Sequence, residues 1–441
     1  MLLSRYWLFI HILSERSIFD IIQFSFSPTK MFKKFLTSFN KLPLSNKSMV
    51  YLMWIYGFGS IITSTFVNIY IFKLHNSFAE ILFYNVAFFS ATFVGFSLLG
   101  WIMSVLQGNI KNMYYLSYVL FILSFLFLLV YWGDQTWSVY LFWALFGLWN
   151  GSFWNAVHTQ ELKNIADKDR DFYSSSISAG KDIIAILTPF LIALIFTLAH
   201  IFQFDGYIIL FWILPLLYLT SFLFIKNIES YTPQQITIDD ARNFFNLRKY
   251  WFGHLYFFVW WILAWITTSV MATVSIVLLK NEVNIWLFQW ILTILSILLV
   301  VHLSHKRHKD NRLHYFALIC FCLCINSVLF GIYFGVLGFI IFSLISIFLN
   351  PLFRVSEHVY DLSLMDSIKT QNNDFYPAMI MRESVLWLWR ICGISILFLI
   401  CTIYWGNIET TLSIWVILSG ISYMFLAGSV YLWERYERIE V

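Results

Sequence analysis

Two base–acid doublets interrupt long apolar runs of this chain. They are Lys181-Asp182 and Arg382-Glu383, and Arg390 follows about two turns beyond the second. A charge within hydrocarbon costs at least about 2.5–3.5 kcal/mol on insertion scales, so it faces a cavity or a partner. A cation in that position can bind an anionic group, and a carboxylate can carry a proton. Lys181 therefore reads as an anion-binding group and Asp182 as a proton carrier. The alternative is a structural ion-pair network between packed helices. Glu383, Trp387 and Arg390 follow i, i+4, i+7 spacing and share one helix face. Arg390 lies about 21 Å along a helix starting at Tyr376, beyond the bilayer midplane, and is the first candidate for binding an anion.

A second pattern is a pair of stripes at helical spacing. Asn150, Trp154 and His158 are four residues apart, as are Asn350, Arg354 and His358, and Glu357 adds a carboxylate to the second stripe. A histidine titrating near neutral pH suits proton exchange. The competing reading is that both histidines sit at helix C-termini, where a cation is favoured by the helix dipole. One histidine per helix makes a poor ligand set, so no metal is expected. Trp261 and Trp265 lie deep in another apolar run, where they either pack or stack on a ligand.

These residues belong to a chain that is 60% hydrophobic, 21% aromatic and 12% charged. A soluble domain is about 45–50% apolar and about 25% charged. Twelve stretches are long and apolar enough to cross a bilayer. They are approximately 49–72, 79–106, 113–132, 137–160, 172–199, 206–225, 251–279, 284–303, 313–332, 335–358, 376–404 and 409–432. Twenty Lys and Arg fall in the connections on one side, from Lys30 to Arg438, against Lys73 and Lys280 on the other. That asymmetry places both termini and the long 226–250 connection in the cytoplasm. The expected organisation is a cytoplasmic segment 1–48, a six-helix bundle 49–225, a loop 226–250, a second bundle 251–432 and a tail 433–441. Residues 7–26 are apolar but broken by Glu15, Arg16 and Asp20, which reads as an interfacial amphipathic helix. Met31 is an alternative initiator, which leaves open whether residues 1–30 are native. The cysteines at 320, 322, 324, 392 and 401 lie in apolar runs as small core residues.

The halves repeat. Residues 149–158 align without gaps on 349–358, with Asn, Phe and His coinciding, and Met113-Tyr114-Tyr115 falls on Leu313-His314-Tyr315 at the same offset. Six spans per half return the chain to its starting side, so the two bundles are parallel repeats about an axis normal to the membrane.

Twelve spans, the six-plus-six split and the central loop resemble the major facilitator superfamily, over about residues 49–432. Phe146-Gly147-Leu148-Trp149-Asn150-Gly151 with Trp154 is similar to the Gly-rich fourth helix of these permeases. Ser178-Ala179-Gly180 with Pro189 is similar to their fifth-helix pattern. Their loop motif Gly-x-x-x-Asp-Arg-x-Gly-Arg is reduced here. Gly100 is followed by Ser104, Val105 and Gln107, so the acidic and basic pair of the gating latch is missing.

The resemblance implies an all-α polytopic protein of the cell membrane, with a central cavity walled by spans one, four, seven and ten. It implies alternating access for a small organic solute. The cations favour an anion or zwitterion. Lys181, Asn150, Trp154, Asn350, Arg354, Arg390, Trp261 and Trp265 are the expected binding residues. Asp182, Glu357, Glu383, His158 and His358 are the expected proton-coupling residues. No cofactor is expected, the partners are the solute and membrane lipids but not nucleic acid, and a monomer suffices. No phosphate-binding loop Gly-x-x-x-x-Gly-Lys-Ser/Thr occurs, which argues against an ATP-driven pump, and no catalytic motif points to an enzyme. Two other readings stay open: a lipid or lipid-linked-glycan flippase on the same fold, and a non-transporting sensor or assembly factor. Replacing Arg390 with Ala is expected to abolish transport with expression intact.

Overall fold

The computed structural model describes residues 37, 39–63, 78–131, 136–165, 167–204, 206–237, 239–240, 255–256, 258–259, 270–271, 273–280, 288, 290–292, 312–367, 375–404 and 407–440. Trp261, Trp265, most of spans seven and eight and the segment 1–36 lie outside the described residues. Residues Leu44–Val441 form one compact unit.

Apolar runs of this length fold as helices because hydrocarbon offers no partner for a backbone N–H or C=O, and the helix satisfies both internally. The described helices of the first half are α1 (Leu44–Ile62), α2 (Phe78–Phe93), α3 (Ile110–Tyr131), α4 (Thr136–Asn164), α5 (Asp167–Phe202) and α6 (Gly206–Leu219). They correspond to spans one to six. Span two continues from α2 through a π-helical turn, Val94–Leu98, into Leu99–Val105. Pro215 lies inside α6, whose chain resumes as a short helix at Ser221–Ile225. In the second half α7 (Arg312–Ile332), α8 (Val336–Ser367), α9 (Tyr376–Ile403) and α10 (Ile408–Glu440) correspond to spans nine to twelve. Eight of the described helices are long and apolar enough to cross a membrane. The end of each helix adjoining the Lys- and Arg-rich connections is termed its basic end below.

Helix association in lipid depends on close packing rather than on escape from water. Spans two and four show this. A Cβ placed on Gly147 would collide with the Phe88 carbonyl, and one on Gly151 with the Thr92 carbonyl, so glycine alone lets these backbones touch. Around that contact the first half is filled by rings: Tyr56 lies parallel to Phe153 (4.7 Å) and Phe121 parallel to Tyr218 (3.6 Å). The second half packs Phe316, Phe353, Tyr360, Cys320 and Trp433 into its own core.

Among the described residues, the halves meet most extensively along span two and α9. Span two and α9 run antiparallel. Phe83 meets Phe398 at one end, Phe93 stacks on Trp387 in the middle, and the Ser97 hydroxyl donates to the Ile380 carbonyl (3.3 Å) toward the basic end. Beyond the first half, the irregular segment after Ile225 straps its basic end. The Ile110 N–H donates to the Tyr231 carbonyl (2.8 Å), and Gln160 donates to the Glu229 carbonyl (2.9 Å).

Candidate functional site

The first-half stripe is held by a tyrosine from span one. The Tyr56 hydroxyl donates to Asn150 Oδ1 (3.0 Å) and accepts from Trp154 Nε1 (3.0 Å). The Trp154 and His158 rings stack at 5.0 Å. Lys181 of α5 reaches the same point. Its stem passes Gly57, and its ammonium stands 5.9 Å from the Tyr56 ring centre and 6.0 Å from that of Trp154. A cation over an aromatic face is favourable by about 0.5–2 kcal/mol depending on desolvation. Removing the Tyr56 hydroxyl would strand two partners at once. Tyr56→Phe is therefore expected to cost about 1–3 kcal/mol, read as a lower melting temperature in detergent, whereas Trp154→Phe costs less.

From the second half, α9 supplies three charges. Arg390 is buried and donates to Glu383 Oε1 at 2.5 Å, one face and two turns away. Its guanidinium lies 5.6 Å from the Phe89 ring centre on α2. A cation from each half therefore stands beside aromatic rings of the first half, Lys181 by Tyr56 and Arg390 by Phe89. Arg382 takes a different partner: Nη2 donates to both oxygens of Asp361 on α8, each at 2.7 Å.

Closer to the basic end lies a second layer. His158 Nδ1 is 3.2 Å from Glu161 Oε2 within α4. His358 of α8 is within electrostatic reach of Glu161, His158 and Lys181 of the first half and of Asp361 in its own. The Tyr256 hydroxyl lies 3.5 Å from Glu357 Oε1. The site thus has an aromatic–cation layer at mid-depth and a histidine–carboxylate layer about two turns nearer the basic end.

A sequence model of the Major Facilitator Superfamily matches residues 49–358. The chain belongs to this superfamily. Solved structures agree in fold. The crystal structure of the human organic anion transporter MFSD10 (TETRAN) superposes with a TM-score of 0.58 at 10% identity, covering 87% of this chain and 98% of that one. A bacterial homologue of the iron transporter ferroportin, in an outward-facing state, gives 0.61 at 12% identity, covering 89% and 100%. A search of curated proteins returns no match. This major facilitator protein is accordingly a multi-pass membrane transporter.

Against that fold the expected site residues sort clearly. Asn150, Trp154, His158 and Lys181 come together around Tyr56, and Glu383 and Arg390 pair. Glu357 and His358 lie half-buried on α8, whereas Arg354 is exposed and Asn350 is half-buried. Asp182 lies in α5, but its side chain is outside the described set. The doublet Arg382-Glu383 is not an ion pair with itself, because each member finds a partner elsewhere.

Tyr56, Glu161 and Asp361 were not anticipated as site residues. The two carboxylates had a signal. Each follows its histidine by three positions, and His158-x-x-Glu161 falls on His358-x-x-Asp361 at the offset of 200 that relates the halves. Both lie just past the limits 160 and 358 read for spans four and ten, on helices that continue to Asn164 and Ser367.

Proposed function

We propose that this protein is a secondary active transporter that moves a small organic anion or zwitterion by alternating access between its two halves. Proton coupling runs through the carboxylates Glu357, Glu383 and Asp182 and the histidines. The observation that carries the substrate class is a cation from each half set beside aromatic rings of the first: Lys181 by Tyr56 and Trp154, and Arg390 over Phe89. A solute carboxylate or phosphate there meets cations flanked by aromatic rings. The orientation has both termini in the cytoplasm, with the basic ends facing inward, and the halves act as a monomer in the cell membrane.

The test is thermal stabilisation of the purified protein by a library of organic solutes. A ligand that binds the folded state alone stabilises it by RT ln(1 + [L]/Kd). Anionic or zwitterionic hits are expected, and Lys181→Gln should weaken them about tenfold or more. Uptake of a hit into proteoliposomes should rise with an imposed pH gradient and collapse with a protonophore. Hits confined to uncharged or cationic solutes, indifferent to Lys181→Gln, would remove the anion reading.

A further inference from the structure

The seam between span two and α9 differs along its length. At the end away from the basic connections it is apolar, with Phe83 and Phe398 at 5.7 Å. At the basic end it is hydrogen-bonded. The Tyr376 hydroxyl donates to the Gly100 carbonyl (3.0 Å), and Asn155 Oδ1 stands 3.3 Å from the same hydroxyl. Asn155 Nδ2 in turn donates to the Phe96 carbonyl (3.0 Å), inside the π-helical turn of span two. Ser97 donates to the Ile380 carbonyl, and the Thr159 hydroxyl of α4 meets Met379 Sδ at 4.0 Å. Tyr376, Asn155 and Thr159 are fully buried, at 0% exposure. All of the polar partners are neutral. The first residues of α9 are thus plugged between spans two and four.

Gly100 fits that plug by lacking a side chain. A Cβ there would stand 2.7 Å from Ile380 Cδ1 and 3.1 Å from the Tyr376 hydroxyl. The same stretch of span two is followed by Ser104, Val105 and Gln107, so it offers no charged pair to hold the halves together.

We infer that Tyr376, Gly100 and Asn155 form a neutral latch that holds the basic ends of the two halves shut and must part before solute can leave or enter at that face. The inference rests on the alternating-access reading above. Contacts made in one state alone set the population of that state, so weakening them moves the equilibrium toward the open one. Tyr376→Phe keeps the ring and deletes the donor. Losing one buried hydrogen bond of ordinary net strength is expected to shift the equilibrium about fivefold. Gly100→Ala wedges the same contact and shifts it the same way.

Spin labels at Asn112→Cys and His314→Cys report the distance between basic ends, in a background where the native cysteines are replaced by Ser. The native protein should show a dominant short distance, and each variant a gained long-distance population. A native distribution in either folded variant overturns the latch, whether or not the melting temperature falls, because a merely structural contact would lower stability without moving the distance. If a stabilising solute changes the distance in the native protein while both variants leave it unchanged, the latch fails and the transport reading stands. If the distance is single and unresponsive to solute while the variants shift it, the latch stands without the transport reading.

Discussion

An Arg390→Ala variant is expected to melt far below the native protein, besides losing solute binding. Arg390 and Glu383 are both buried and paired at 2.5 Å. Removing one member of such a pair leaves the other charge buried without its counter-charge, which costs about 3–5 kcal/mol. The sequence alone suggested that expression would survive this change; the pair geometry makes a stability loss the first observable. The informative variant is therefore the double replacement Glu383→Gln with Arg390→Gln. It is isosteric at 383, shortens the side chain at 390 but leaves it polar, and removes both charges together, so most of the melting temperature should return. Binding of an anionic solute should not return. The single alanine variant and the double glutamine variant, compared by thermal melting and then by solute-dependent stabilisation, separate the two roles. Native-like melting of Arg390→Ala would mean that the pair carries little buried charge. Recovered solute binding in the double variant would take Arg390 out of the site.

The spans were legible because they depend on properties that hydropathy records, namely run length and the sidedness of Lys and Arg. The repeat was legible because Asn150, Phe153 and His158 recur as Asn350, Phe353 and His358. Ion-pair partners were not legible from adjacency. Neighbours on a helix point about 100° apart, so Arg382 and Glu383 turn to different sides. Arg382 reaches Asp361 on the preceding helix, and Glu383 reaches Arg390 along its own. The importance of Tyr56 comes from standing opposite Asn150 and Trp154, a placement that requires the packing of α1 on α4. The seam latch was hidden for the same reason. Tyr376 and Gly100 are 276 positions apart, and neither residue type suggests the other.

Gly151→Leu is expected to give no folded protein, and Gly151→Ala a clear loss of about 1–3 kcal/mol, occasionally more. A Cβ on Gly151 would meet the Thr92 carbonyl, the Phe96 nitrogen at 2.6 Å and the Gly95 carbonyl carbon at 3.0 Å. All three are backbone atoms, so no side chain can rotate away; α4 and span two must separate. The neighbouring side chains would feel that separation, since Asn150 faces Thr92 Oγ1 at 3.5 Å and accepts from Tyr56. Folded Gly151→Ala should therefore also bind solute more weakly, although residue 151 carries no chemistry. The contrast is Gly428 in α10, around which nothing lies within 4 Å of an added Cβ. There the gain in helix propensity should dominate, and Gly428→Ala should be neutral or stabilising by about 0.5–1 kcal/mol. The two alanine variants differ in one methyl group each, so opposite shifts in melting temperature isolate the backbone contact as the cause. Equal shifts would mean that spans two and four do not touch through their backbones, and the Asn150–Tyr56–Trp154 arrangement built on that contact would have to be redrawn.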